Sequence, residues 1–196
     1  MQLGFYIDQS RCTGCHTCTV ACKDWHDVPA GPANWRWVVT EEKGKFPHVF
    51  VTFLSLSCLH CAEPTCMLVC PVDAISKREE DGIVVVDQEV CLGRDACGQC
   101  KLACPWGAPQ FGAEEDAKIQ KCHLCLERWQ EGKKPICVES CPTRALDAGP
   151  IDELEARYGK LREVEGFKYD KINQPSVVFK AREPELLKPP LSQLSF

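Results

Sequence analysis

Cys12-Thr13-Gly14-Cys15-His16-Thr17-Cys18-Thr19-Val20-Ala21-Cys22 sets four thiols in one short run, and the spacing Cys-x2-Cys-x2-Cys-x3-Cys decides how the rest of the chain is read. Three further groups of four follow: Cys58, Cys61, Cys66, Cys70; then Cys91, Cys97, Cys100, Cys104; then Cys122, Cys125, Cys137, Cys141. All 16 cysteines of the 196 residues fall into these groups, and none is left over. Proline follows the fourth cysteine in three of them, as Cys70-Pro71, Cys104-Pro105 and Cys141-Pro142, whereas Lys23 stands after Cys22.

A cysteine content near the ~8–10 % level marks a scaffold held together by sulfur chemistry rather than by an ordinary core. The 14 prolines and 13 glycines favour loops, while 44 % hydrophobic residues leave material for modest packing. A formal charge of −5 argues against a nucleic-acid partner. No apolar run approaches the ~18 residues that a membrane span needs, and Met1 to Asp8 does not read as an export signal. The expectation is a chain without a direct membrane span, cytoplasmic by default, with export together with a signal-bearing partner subunit left open. In a reducing compartment, clustered cysteines are read as metal ligands rather than disulfides.

An internal repeat accompanies the groups. Phe5-Tyr6-Ile7-Asp8-Gln9 before Cys12 matches Val84-Val85-Val86-Asp87-Gln88 before Cys91, each reading as a short strand that runs into a ligand loop. His48 to Leu56 is a further candidate strand, and Glu80-Asp81-Gly82 is a turn joining Ala74–Lys77 to Ile83–Val86. Three residues between the third and fourth cysteines suit a single helical turn. Residues 23–57 and 105–121 read as connectors, Ile151 to Tyr158 as a helix ending at Gly159, and residues 175–196 as an extended tail over the surface or a partner.

Zinc in a tetrahedral site draws two ligand pairs from separate loops, but Cys12, Cys15 and Cys18 put three thiolates on one tight loop. A cubane of four irons fits better, because its corners are spread apart and each takes one thiolate; in such runs the fourth cysteine ligates the neighbouring cluster. Sixteen thiolates then make four [4Fe-4S] clusters. The match of Cys12-x-x-Cys15-His16 to a haem-attachment motif lies inside a complete four-cysteine run and is set aside. His16, His60 and His123 read as neighbours of ligands rather than ligands. Lys23, Lys101 and Lys121 either raise potentials or are simply solvated. No nucleotide-binding pattern or activated nucleophile is present, so the chain is read as not catalytic alone.

The motifs resemble those of the four-cluster iron–sulfur subunits of the dimethyl sulfoxide reductase superfamily, the electron-transfer partners of molybdopterin enzymes. The resemblance covers about residues 3–150 and rests on Cys12 through Cys18, Cys58-Leu59-His60-Cys61 with Cys66 and Cys70-Pro71, Gly98-Gln99-Cys100 through Gln110, and Lys121-Cys122 through Leu146. It implies an α+β, loop-rich fold: two ferredoxin-like halves of two [4Fe-4S] clusters each, related by a pseudo-two-fold repeat, with a C-terminal extension. The halves would be 1–30 plus 115–150, and a nested 50–114, with an insertion at 31–49 and a partner-docking extension at 151–196.

The resemblance also implies cross-wired ligand sets: Cys12, Cys15, Cys18 with Cys141; Cys122, Cys125, Cys137 with Cys22; Cys58, Cys61, Cys66 with Cys104; and Cys91, Cys97, Cys100 with Cys70. Five residues, Leu92 to Ala96, fill a gap where the family has two. Because Asp87 keeps the spacing to Cys91 that Asp8 keeps to Cys12, Cys91 is retained as a ligand, the alternative being a three-iron centre. The implied function is electron relay between a large molybdopterin or tungstopterin catalytic subunit and a membrane anchor or other redox protein. The competing reading is a freestanding polyferredoxin that shuttles electrons between soluble enzymes; a structural zinc protein is a third.

Overall fold

The structure, a computed structural model, describes residues 1–183. Strand β1 (Leu3–Asp8) is buried along its whole length. Its unbroken run Leu3-Gly4-Phe5-Tyr6-Ile7 follows from its place at the centre of a three-stranded sheet covered on both faces. On one side it pairs antiparallel with β6 (Leu146–Pro150), in the register Phe5↔Ala148. On the other it pairs parallel with β7 (Val177–Lys180), in the register Ile7↔Phe179. A Cβ on Gly4 would collide with the Ser176 carbonyl, so the chain before β7 approaches too closely for any side chain there.

That third strand corrects the expectation of an extended, partner-docking tail. Val177, Val178 and Phe179 face no partner: they are 0–1 % exposed and complete the central sheet. The physical reason is burial: α6 (Ile151–Tyr158), between β6 and β7, covers the sheet by laying Leu154 and Tyr158 against Tyr6 and Val178. The Tyr6 and Tyr158 rings stack at 3.7 Å. Residues 184–196, which hold the rest of the expected docking tail, lie outside the described residues.

The connector after the first cysteine group also contains more structure than expected. Strand β2 (Arg36–Lys45) and β3 (His48–Ser57), ten residues each, form a hairpin from Arg36↔Ser57 to Lys45↔His48. The hairpin straddles the boundary expected between residues 49 and 50, because residues 36–43 of β2 pair with residues 50–57 across it. The expected hairpin of β4 (Ile75–Lys77) and β5 (Val84–Val86) is present.

Short helices carry the third cysteine of three groups: α2 (Thr65–Leu68), α3 (Gln99–Ala103) and α5 (Ile136–Glu139). Each stops before its Cys-Pro pair, since a residue preceding proline is steered out of the helical region; Cys104 is accordingly extended, with ψ 115°. Helix α1 (Thr17–Trp25) runs to nine residues because Lys23 replaces the proline and leaves the hydrogen-bonding ladder unbroken. The remaining helix, α4 (Leu126–Gln130), follows Cys125. A single large core interleaves thiols with Leu3, Phe5, Ile7, Leu54, Leu56, Leu59 and Leu124, and a smaller one gathers Ile75, Val84, Cys100, Phe111 and Ile119. Mixed α+β, loop-rich architecture is what these elements make. Among the described residues no helix is long and apolar enough to cross a membrane.

Candidate metal centres

Strand ends deliver the ligand loops. After β1, the Asp8 carboxylate accepts hydrogen bonds from Ser10 N (2.9 Å), Arg11 N (3.3 Å) and Tyr6 OH (3.1 Å), turning the chain toward Cys12. After β5, Asp87 accepts from Glu89 N at 2.9 Å and turns the chain toward Cys91 in the same way. Gly14, at φ +69°, lets the Cys12 loop pass against the Phe53 ring, which a Cβ would strike.

Pairing of β1 with β6, extended by Asp8 N to Ala145 O at 2.8 Å, brings Cys141 to the first loop. Burial pushes the Cys12 thiol up, and Cys18, Cys141 and Cys15 push it the same way. Cys22, held high by burial, is surrounded instead by Cys122, Cys137 and Cys125. Cys58, Cys61, Cys66 and Cys104 wall one cavity together with Trp106 and Lys121. Another is walled by Cys70, Cys91, Cys97 and Cys100. In each of these two cavities three thiols of one group meet one from another, while Cys141 acts on the first loop and Cys22 on the fourth group.

The inserted residues after Cys91 do not carry it away. Arg94 N donates to Ala117 O (2.9 Å) and Arg94 Nη1 to Gly112 O (3.0 Å), folding the extra length back onto residues 112–117. Gly93 N lies 3.4 Å from Cys91 Sγ.

All sixteen cysteines are free thiols, and Cys15 alone among them is exposed. Hydrogen bonds from Thr17 lower the Cys15 thiol. Desolvation raises most of the others, Cys66 to about 12 and Cys100 and Cys122 to about 11. With such values these thiols are protonated at neutral pH unless a metal displaces the proton. Backbone N–H groups point at their sulfurs: Ala74 N at 3.2 Å from Cys70, Ala108 N at 3.4 Å from Cys104, Ala145 N at 3.3 Å from Cys141. In each case the donor sits four residues beyond the cysteine, held there by the Cys-Pro corner.

Two further features fit an anionic, acceptor-rich group among the thiols. His60, fully buried, accepts Val84 N at 3.1 Å through Nδ1, so its proton is on Nε2, and that buried Nε2 has no acceptor among the described residues. Arg36 is likewise buried, and among the described residues it has no carboxylate partner. An iron–sulfur cluster would supply both needs, an acceptor from its sulfurs and negative charge. Thus the donor set and its surroundings fit cubanes.

Sequence reasoning flagged His60 but missed Arg36 and His26. His26 Nε2 lies 3.2 Å from Cys125 Sγ, its ring stacked on Trp35 at 4.9 Å and edged by His123 at 4.7 Å. Burial lowers His26 to about 4, so the imidazole is neutral. Its position just after an α1 that outruns one turn was the available signal, through Lys23. Of the flagged lysines, Lys121 is buried and donates to Val84 O and to Cys122 O (3.0 Å). Lys23 reaches Ala33 O at 2.8 Å, and Lys101 is exposed.

Residues 49–151 match the 4Fe-4S dicluster domain family, and residues 11–75 match a second 4Fe-4S dicluster domain family. Among its relatives is a chain of the anaerobic dimethyl sulfoxide reductase of Escherichia coli strain K12, 48 % identical over 191 residues that cover 91 % of this protein and 88 % of the relative. A formate dehydrogenase iron-sulfur subunit of Wolinella succinogenes is 40 % identical, over 76 % of this protein and 82 % of the relative. A sulfite dehydrogenase subunit of Allochromatium vinosum is 35 % identical, over 85 % and 76 %.

Proposed function

The chain belongs to the iron–sulfur electron-transfer subunits of the dimethyl sulfoxide reductase superfamily, and from that premise we propose that it relays electrons through four [4Fe-4S] clusters between a molybdopterin- or tungstopterin-containing catalytic subunit and a second redox partner. Such clusters supply one-electron carriers, and everything else is done by the chain's own residues. The observation that supports the reading is that all sixteen cysteines are free and that eight of them wall two cavities, three from one group with one from another in each.

We assign one cluster to Cys12, Cys15, Cys18 and Cys141, and its neighbour to Cys122, Cys125, Cys137 and Cys22; these are the outer pair. The inner pair is assigned to Cys58, Cys61, Cys66 and Cys104, and to Cys91, Cys97, Cys100 and Cys70. The pairing of β1 with β6 supports an outer ferredoxin-like unit of 1–30 with 115–150 around an inner unit beginning near residue 50, with the β2–β3 hairpin shared between them. A pseudo-two-fold relation of the units is supported by the matching turns at Asp8 and Asp87 and by the recurrent N–H groups four residues beyond Cys70, Cys104 and Cys141. Burial of eight of the thiols limits water around the clusters, and the N–H groups favour the more negative, reduced state.

The purified protein should be brown and hold about sixteen irons and sixteen acid-labile sulfides, four per cubane. It should purify at fixed stoichiometry with a large pterin-containing chain. Stoichiometric zinc with little iron refutes the clusters, and a fully loaded protein that never associates with such a chain favours a freestanding polyferredoxin.

A further inference from the structure

Arg36 opens β2 and is the largest side chain that the fold buries completely, at 1 % exposure. Its guanidinium lies 4.6 Å from the Phe5 ring centre. Nη1 donates to Ser55 Oγ at 3.0 Å and Ser55 O at 3.3 Å, and Nη2 donates to Ser57 Oγ at 2.9 Å. The same Ser55 hydroxyl stands 3.2 Å from Cys18 Sγ. Strand β2, which Arg36 opens, packs on α1, the helix that carries Cys18 and Cys22, and α1 packs in turn on α5, which carries Cys137. Four thiols feel its charge most: Cys137, Cys18, Cys122 and Cys22.

A guanidinium keeps its charge in proteins, and a buried charge must be paired to be tolerated. Among the described residues no carboxylate lies within ion-pairing distance of Arg36, and the two serines are neutral. The partners left to it are sulfurs, one from the first outer set and three from the second. Two serines one strand-pleat apart hold the fork over Phe5, so the charge is fixed in place between the two sets.

Resting on the four-cluster reading above, we propose that Arg36 is a positioning residue for electron transfer: a fixed counter-charge, shared by the two outer clusters, that raises the reduction potential of both. Each cluster gains one negative charge when it accepts one electron, so a fixed cation beside it stabilises the reduced form. No thiol of the inner pair is among the four on which Arg36 acts most strongly, although Cys58 directly follows the Ser57 it holds. The residue therefore sets a difference between the outer and inner pairs.

The test is an anaerobic redox titration of the intact complex, followed by electron paramagnetic resonance, on wild type, Arg36→Gln and Arg36→Lys, with iron counted in each. In Arg36→Gln, two of the four midpoints should fall by at least a tenfold change in the reduction equilibrium, 59 mV for a one-electron couple, while the other two stay. Arg36→Lys should retain the wild-type midpoints within that margin. Fully loaded Arg36→Gln with no midpoint moved, or with all four moved alike, overturns the proposal. If Arg36→Gln fails to load iron, Arg36→Lys decides: full loading at wild-type midpoints supports the charge role. Failure of Arg36→Lys as well shows that only the shape of the fork matters and overturns it. A wild type without four titrating clusters would overturn the four-cluster reading itself, and this inference with it.

Discussion

Replacing Phe179 by alanine tests whether β7 is part of the core or an accessory strap. Phe179 is 1 % exposed, pairs with Ile7 in the central sheet, and tilts onto Phe167 at a centroid distance of 4.9 Å. Phe167 stacks on Trp106 at 5.3 Å, and Trp106 walls the cavity shared by Cys58, Cys61, Cys66 and Cys104. Truncation therefore opens a void beneath a ring that supports a ligand cavity. Phe→Ala in a core costs about 3–5 kcal/mol, because the lost transfer energy is joined by a cavity that the surroundings only partly fill. With a urea dependence of about 2 kcal/mol per molar, the midpoint should fall by about 1.5–2.5 M. The assay is anaerobic urea unfolding at fixed incubation time, followed by bleaching of the cluster absorbance and by far-ultraviolet circular dichroism. Ile172→Ala serves as control: Ile172 is 72 % exposed in the same segment, and such a surface change stays within about 0.5 kcal/mol. If Phe179→Ala unfolds at the midpoint of that control, β7 contributes no core and the argument fails.

Three other outcomes can be checked. Oxidised, anaerobically prepared protein should be essentially silent in electron paramagnetic resonance, and Cys91→Ser should perturb one cluster alone; a near-stoichiometric three-iron signal unchanged in Cys91→Ser would remove Cys91 from the ligands. His60→Phe deletes the acceptor of Val84 N and the buried Nε2–H, so it should cost about 1–3 kcal/mol and lower the potential of one cluster, and unchanged urea and redox titrations would contradict this. Protein produced without iron should unfold without a cooperative transition, because metal-binding energy is folding energy when the ligands themselves line the core. A sharp calorimetric transition of iron-free protein would count against it.

Local geometry was written in the cysteine spacings. Three thiols on one tight loop, and a proline that ends the next helical turn, are short-range constraints, so Cys12 to Cys22 and the Cys-Pro pairs could be interpreted without knowledge of the fold. The same holds for the β4–β5 hairpin, whose turn at Asp81-Gly82 is local, and for α6, bounded by Pro150 and Gly159. The strand β2 was missed although Trp37-Val38-Val39-Thr40 favours a strand, because the charged run Glu41-Glu42-Lys43 looks like a connector until β3 lies opposite to pair with it.

By itself, the sequence determined the chemistry: sixteen thiols in four groups, strands leading into loops, and an α+β chain of the iron–sulfur kind. Tertiary structure decided that Cys70 and Cys104 each line a cavity with three thiols of another group, that Val177 to Lys180 returns beside β1, and that Arg36 and His26 stand among the sulfurs. The division has a physical cause. Ligand-loop geometry is fixed by a few adjacent dihedral angles, whereas a parallel strand pairing and a buried cation depend on contacts between distant segments, whose value exists only once the intervening chain has closed around them.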